Sequence, residues 1–137
     1  MGAWGTESFA NDDAMDWIAD LEAAKDLRAV RAALDAVPRD GADCIEAPIG
    51  SVALAAAEVV AALRGRAAVK LPEEVTAWVR ANPQVPDASL VDMAARVVKA
   101  VSEDEGRSEL RQLWGEADPE DHESWHASVA DLRRRLS

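Results

Sequence analysis

A chain of 137 residues with 49% hydrophobic and 30% charged residues is long enough to bury one core and is too apolar to be disordered. Its formal net charge of −11 opposes binding to nucleic acid or to an anionic membrane, and it favours a basic partner. The single cysteine, Cys44, excludes an internal disulfide, and no signal peptide is recognised, so we expect a cytoplasmic protein.

The opening residues concentrate aromatic side chains. Trp4, Phe9 and Trp17 lie in one short loop and in the helix that follows it, so we expect this segment to pack into the core. Asn11 is a good N-cap for that helix, which we predict to run to about Ala24. Its apolar residues recur at intervals of three and four, as expected for one buried face: Ala14, Trp17, Ile18 and Leu21.

The other face of this first helix carries three aspartates at four-residue spacing, Asp12, Asp16 and Asp20. Like charges at this spacing repel each other slightly, and a divalent cation with outside ligands could bridge them. We prefer the simpler interpretation of a solvated face, because carboxylates near a helix N-terminus are stabilised by the helix dipole.

The opening stretch also matches the pattern M-G-x-W-G-x-G-x-F-x-N-D-x-A-x-D-W at Met1, Gly2, Trp4, Gly5, Phe9, Asn11, Asp12, Ala14, Asp16 and Trp17. In these residues the chain resembles a bacterial family of small proteins of unknown function. Glu7 departs from the pattern, which has a glycine there, and the runs 55–63 and 108–114 resemble the family as well. The resemblance adds no catalytic residue and no cofactor to this interpretation, because the family has no assigned activity.

Two helices are predicted next. The second spans about Asp26–Val37 and is ended by Pro38. The third spans about Pro48–Leu63 and is rich in alanine and valine on almost every side, which predicts a buried central helix. Glu58 is the one charge inside it, and we expect a partly exposed side chain, since buried acids are rare. If it were buried, Glu58 would be the carboxylate of most interest for function.

Cap signals delimit the fourth and fifth helices. The fourth begins with Pro72 and is closed by Pro83. The fifth is predicted to begin at Ser89, with Asp92 as its capping-box partner, and to run to Val101.

The last two helices have similar signals. Ser102 and Glu105 form a second capping box, which predicts the start of a sixth helix that stops at Gly115. The seventh follows Asp118 and ends in the arginine run 133–135, which suits the negative end of a helix dipole. The whole chain, residues 1–137, is therefore predicted to form a single all-α domain, a compact bundle of six to seven helices around the third.

One short motif invites a chemical interpretation. His122-Glu123-Ser124-Trp125-His126 matches H-E-x-x-H, in which two histidines bind zinc and the glutamate activates water. A third ligand is not evident, because Asp131 is the sole acid after His126. We prefer the interpretation that both rings pack at the edge of the apolar seam around Trp125.

Two functions remain as hypotheses. The first is a non-enzymatic acidic binding or inhibitor-type protein that acts on a basic protein partner, with no catalytic, metal or cofactor-binding residues and no cofactor. The alternative is a zinc-dependent hydrolase with His122 and His126 as ligands and Glu123 as the base. The oligomeric state is open. The five tryptophans are predicted to be core anchors: Trp4, Trp17, Trp78, Trp114 and Trp125.

Overall fold

The computed structural model describes residues 5–39 and 43–137. In these residues seven α-helices form one all-α bundle, which confirms the predicted fold class. The helices are α1 (Asp12–Ala23), α2 (Arg28–Asp35), α3 (Ala47–Leu63), α4 (Glu73–Ala81), α5 (Ala88–Glu103), α6 (Glu109–Gly115) and α7 (Pro119–Leu136). Within the described residues, none of the helices is both long enough and apolar enough to cross a membrane.

Helix α3 is the centre of the bundle, as its composition predicts. It packs against each of the other six helices of the described chain, and every residue from Ala53 to Ala62 is buried. Small side chains let neighbouring helices approach closely: at Gly50 an added Cβ would lie 3.3 Å from a methyl group of Val101. The alanine-rich sequence of α3 therefore allows it to be surrounded.

The aromatic residues pack as predicted where the structure describes them. Phe9 and Trp17 are buried, and they join the N-terminal segment and α1 to the core. Trp78, Trp114 and Trp125 are buried in the same core. The indole Nε1 of Trp78 donates a hydrogen bond to the carbonyl oxygen of Ala24 at 2.9 Å. Trp4 lies outside the described residues, so its burial stays a prediction.

The helix starts agree with the sequence in some places and differ in others. Asn11 caps α1, as predicted, by accepting a hydrogen bond from the backbone N–H of Ala14 at 2.8 Å. The fifth helix begins at Ala88, within one residue of its predicted start, but the predicted capping box of Ser89 and Asp92 is wrong, because Asp87 caps α5 by accepting from the N–H of Leu90 at 2.8 Å. An aspartate two residues upstream places the carboxylate at the first free N–H groups equally well.

The predicted second capping box at Ser102 is also wrong. Ser102 belongs to the last turn of α5, and the N-cap of α6 is Ser108, six residues later. Ser108 is fully buried, and its hydroxyl donates to the carbonyl oxygen of Val101 at 2.6 Å while accepting from the N–H of Arg111 at 3.2 Å. Helix α5 continues through the predicted boundary because Val101 packs in the core.

The start of α6 is joined to the start of α3. Ile45 and Ser108 form an isolated parallel bridge, with hydrogen bonds from Ile45 N to Arg107 O at 2.8 Å and from Glu109 N to Ile45 O at 2.9 Å. The Glu109 carboxylate then accepts from the N–H of Ala47 at 2.8 Å, which caps α3. A long-range contact therefore supplies the cap that the local sequence of α3 lacks.

Candidate functional sites

The most enclosed charged group of the described chain is Glu58. Its residue is only 3% exposed, so the prediction of a partly exposed side chain is wrong. Position 58 faces α7 and the N-terminal segment, and both elements supply donors. Arg135 donates from Nη1 to Oε1 at 2.8 Å and from Nη2 to Oε2 at 3.3 Å, and the Ser8 hydroxyl donates to Oε2 at 2.8 Å.

Arg135 is held from a second side as well. Its Nε donates to the carboxylate of Asp131, one turn earlier on α7, at 2.8 Å, and Nη1 also reaches the carbonyl oxygen of Arg66 at 3.2 Å. Burial lowers the pKa of Arg135, but hydrogen bonds and charges from Glu58 and Asp131 outweigh this effect, so the pKa is raised overall. The guanidinium therefore stays charged and links α3, α7 and the residues after α3.

A cleft of about 360 Å³ opens over this ion pair. Polar atoms come from the N-terminal segment and α7, and the apolar walls include Ala68, Val69 and Leu71. The rest of the lining includes Thr6, Ser8, Glu58, Lys70, Ser124, Ser128 and Arg135. The charges at its base are already paired with one another. Because the Glu58 carboxylate accepts from three protein donors, we assign it a structural role: it fastens the N-terminal segment and α7 to α3.

The H-E-x-x-H residues lie on α7, opposite α6. The rings of His122 and His126 meet edge-on with centroids 4.5 Å apart, and His126 also packs against Trp125 at 5.3 Å. The Nδ1 atom of His122 lies 3.1 Å from the carbonyl oxygen of Trp114, so a neutral ring that donates there keeps Nε2 as an acceptor. Both rings are half-buried at the margin of the Trp114–Trp125 stack, as the sequence predicts.

The surroundings of His126 disfavour protonation of its ring. Burial lowers the pKa of the His126 imidazole, and the positive charges of His122 and Arg111 lower it further. Neutral imidazole is the form that ligates metal. Within residues 5–39 and 43–137, however, no three His, Cys, Asp or Glu side chains lie close enough to share a metal ion. The zinc hypothesis therefore has two adjacent imidazoles but no third ligand in this part of the chain, and Glu123 is exposed beside them.

Helix α1 presents a continuous anionic surface. Asp12, Asp16 and Asp20 are all exposed. Two more acids, Asp13 and Glu22, are exposed on the same helix, which contains no lysine or arginine. None of these five carboxylates forms an ion pair with another described residue; the ion pairs in residues 5–39 and 43–137 all involve acids elsewhere in the chain.

Two members of the Glu58 cluster were not identified as site residues from the sequence. The helix dipole explains Arg135 as well as its neighbours in the arginine run, and the local sequence gives no signal for Ser8. One sequence signal was present: a lone acid in the middle of an apolar helix requires a cation, and the last helix ends in three arginines. The choice among those arginines depends on the packing of α7 against α3.

Comparison with known proteins yields a family and no characterised relative. No curated protein and no solved structure matched the chain. A family model described as a domain of unknown function matches residues 2–128, which is nearly the whole chain. The chain therefore belongs to the DUF4259 family.

Proposed function

We propose that this protein is a non-enzymatic acidic binding or inhibitor-type protein that engages a basic protein partner through the outer face of α1. The observation that carries the proposal is the concentration of exposed acids, without any lysine or arginine, on this one helix. Its exposed acids are without internal ion pairs among the described residues, whereas Arg28, Arg31 and Arg135, like most arginines of the chain, are bound to acids of the protein itself.

The surface is preorganised for binding. Helix α1 is anchored by the buried side chains of Trp17, Ile18 and Leu21 on one side and is capped by Asn11, so its carboxylates are held at fixed spacing. A rigid surface loses little conformational entropy when a partner binds. Complementary charge also accelerates association and discriminates against acidic competitors.

The spacing of the aspartates gives a thermodynamic reason for binding. Like charges four residues apart on a helix destabilise it by about 0.2–0.5 kcal/mol per pair. Lysine or arginine side chains of a partner, placed between Asp12, Asp16 and Asp20, would remove this repulsion. A basic partner should therefore bind α1 and raise the melting temperature of the protein at the same time.

The test compares two variants with the same loss of charge. The first neutralises the row on α1: Asp12→Asn, Asp16→Asn and Asp20→Asn. The second neutralises three exposed acids elsewhere, including one in the first turn of α7: Asp92→Asn, Glu116→Gln and Glu120→Gln. Partners captured by the parent protein are purified, and their affinities for all three proteins are measured by calorimetry at about 0.05 M and about 0.5 M salt.

We expect the α1 variant to bind its partner at least about tenfold more weakly, and the matched variant to bind like the parent. Binding to the parent should also weaken strongly at high salt. Equal weakening in both variants would show that the partner responds to net charge and not to the α1 surface. An affinity that does not depend on salt would refute binding by charge.

A zinc-dependent hydrolase is the second candidate. The contact between the His122 and His126 rings, and the position of His122 Nδ1 at the Trp114 carbonyl, favour it. The test is zinc binding by the purified protein. A hydrolase site requires about one tightly bound zinc per chain, lost in His122→Ala and in His126→Ala but retained in Glu123→Gln. Weak binding that is not stoichiometric would exclude this candidate.

A further inference from the structure

A second cleft, of about 160 Å³, lies between the end of α2 and the outer side of α5. It is distinct from the α1 surface and from the cleft over Glu58. Its apolar wall comes from both helices and from the second residue after α2: Leu34, Val37, Met93, Val97 and Ala100. Leu34 and Val37 are buried, whereas Met93, Val97 and Ala100 are partly exposed, so the cleft is open to solvent along α5.

Three arginines line the same cleft: Arg39, Arg96 and Arg107. No acidic side chain of the described residues lines it. The cleft is therefore lined by positive charge in a protein whose net charge is −11. Arg39 and Arg96 are exposed at its margin. Arg39 makes one long contact, 3.5 Å from Nη2 to Oδ1 of Asp35, and because both side chains are exposed this pair is weak, so the guanidinium can exchange it for a ligand carboxylate.

Arg107 gives the cleft a fixed side. Its side chain is only 11% exposed. It donates from Nη2 to the carbonyl oxygen of Pro38 at 2.6 Å and from Nε to the carbonyl oxygen of Asp43 at 2.9 Å, and its Nη1 contacts the Asp104 carboxylate at 3.3 Å. These contacts hold the residues after α2 against the turn between α5 and α6. The wall formed by Val37 and Pro38 is therefore preformed.

We propose that this cleft binds a small amphipathic carboxylate, with its apolar group between α2 and α5 and its carboxylate at Arg39 and Arg96. The volume sets the size of the apolar group, because an apolar protein cavity of about 150 Å³ accepts a six-carbon ring. The arginines set the charge and the head group, since planar guanidinium groups bind carboxylates through paired hydrogen bonds.

The dimensions favour a small molecule over a protein partner. A stable protein interface buries about 800 Å² on each side. A cleft of 160 Å³ holds little more than one side chain. The argument from Arg39 and Arg96 is independent of the acidic surface of α1, so the proposal does not depend on a basic protein partner.

The test uses three probes with the same six-carbon chain: hexanoate, hexanol and hexylammonium. The full chain is labelled with ¹³C at its methionine methyl groups. Met93 lines the cleft, whereas Met15 lies on α1, so Met15 is an internal control. The Met93→Leu variant assigns the resonance. We expect hexanoate to shift the Met93 signal at the lowest concentration of the three probes and to leave Met15 unchanged.

Two double variants test the role of the arginines. Arg39→Gln with Arg96→Gln removes two positive charges at the margin of the cleft. Arg28→Gln with Arg80→Gln removes the same number of charges from exposed sites elsewhere. All four side chains are exposed, so both proteins should fold. The first should bind hexanoate about tenfold or more weakly and hexanol unchanged, and the second should bind both like the parent.

Three results would overturn the proposal. One is a Met93 signal that no probe moves. Another is equal affinity for hexanoate, hexanol and hexylammonium, which would show an apolar cleft without recognition of charge. The third is an Arg39→Gln and Arg96→Gln protein that binds hexanoate as tightly as the matched Arg28→Gln and Arg80→Gln protein.

Discussion

Glu58 of α3 and Arg135 of α7 form a buried ion pair across 77 residues of sequence, with Oε1 and Nη1 2.8 Å apart. The Glu58 side chain is 4% exposed and the Arg135 side chain 13%. A carboxylate so enclosed is tolerated because the guanidinium and the Ser8 hydroxyl replace its lost hydration. The pair joins the central helix to the last helix and to the N-terminal segment.

Breaking this pair from one side should be costly. In Arg135→Met the Glu58 carboxylate stays buried with Ser8 as its remaining donor, and we expect a loss of about 3–5 kcal/mol in the free energy of unfolding. Replacing both partners, with Glu58→Leu and Arg135→Met, should recover most of the loss, because no charge remains buried. Denaturant unfolding followed by circular dichroism measures all three proteins.

Arg134→Met is the matched control for this prediction. Arg134 is the neighbour on α7, its side chain is 75% exposed, and it pairs only with Asp131 among the described residues. Its replacement should change the free energy of unfolding by less than about 0.5 kcal/mol. Equal losses in Arg134→Met and Arg135→Met would show that the buried pair has no special weight.

The lowered pKa of His126 predicts a pH dependence of stability. Below the ordinary histidine pKa of 6.5 the unfolded chain takes up a proton that the folded protein binds less readily. The free energy contributed by His126 is therefore complete above this pH and is lost as the pH falls through the folded pKa. Between about pH 7.5 and about pH 5.5, the melting temperature of His126→Gln should fall less than that of the parent. Parallel declines would contradict the assignment.

Gly65 ends α3 with a left-handed backbone, at φ +80°. The N–H of Gly65 bonds to Ala62 O at 3.0 Å and the N–H of Arg66 to Ala61 O at 2.9 Å, which is a Schellman motif. An added Cβ would meet no atom within 4 Å, so Gly65→Ala should cost only the backbone strain, about 1–2 kcal/mol. Gly106→Ala, whose φ is not left-handed, should leave the free energy of unfolding nearly unchanged.

The observed N-cap of α6 is Ser108, whereas the sequence predicts Ser102, and substitution of each serine tests the difference. Ser108→Ala removes the cap of α6 and leaves the buried Val101 carbonyl without its donor, so we expect a loss of about 1–3 kcal/mol. Ser102→Ala removes a longer hydrogen bond, 3.4 Å to Lys99 O, and should cost less. Urea midpoints of the two variants test the order, and a larger effect at Ser102 would contradict it.

The sequence alone determined the features that depend on residues within one or two turns. The period of apolar side chains in α1 and α3 and the Asn11 cap depend on residues that are neighbours in sequence, and the structure has them where they were predicted. The all-α class follows from the same local signals, because alanine, capping residues and helical periodicity occur along the whole chain.

The tertiary structure alone decided which polar groups are buried and which serine begins α6. Glu58 looks like a surface position by helical period, and only Arg135, brought beside it by the packing of α7 on α3, makes its burial possible. Ser102 and Ser108 are both residues of a type that caps helices. The core contacts of Val101 extend α5 past Ser102, so Ser108 becomes the N-cap of α6. For Glu58 the deciding energy is the desolvation of a charged group, and for the two serines it is the burial of the apolar Val101 side chain; both depend on partners distant in sequence.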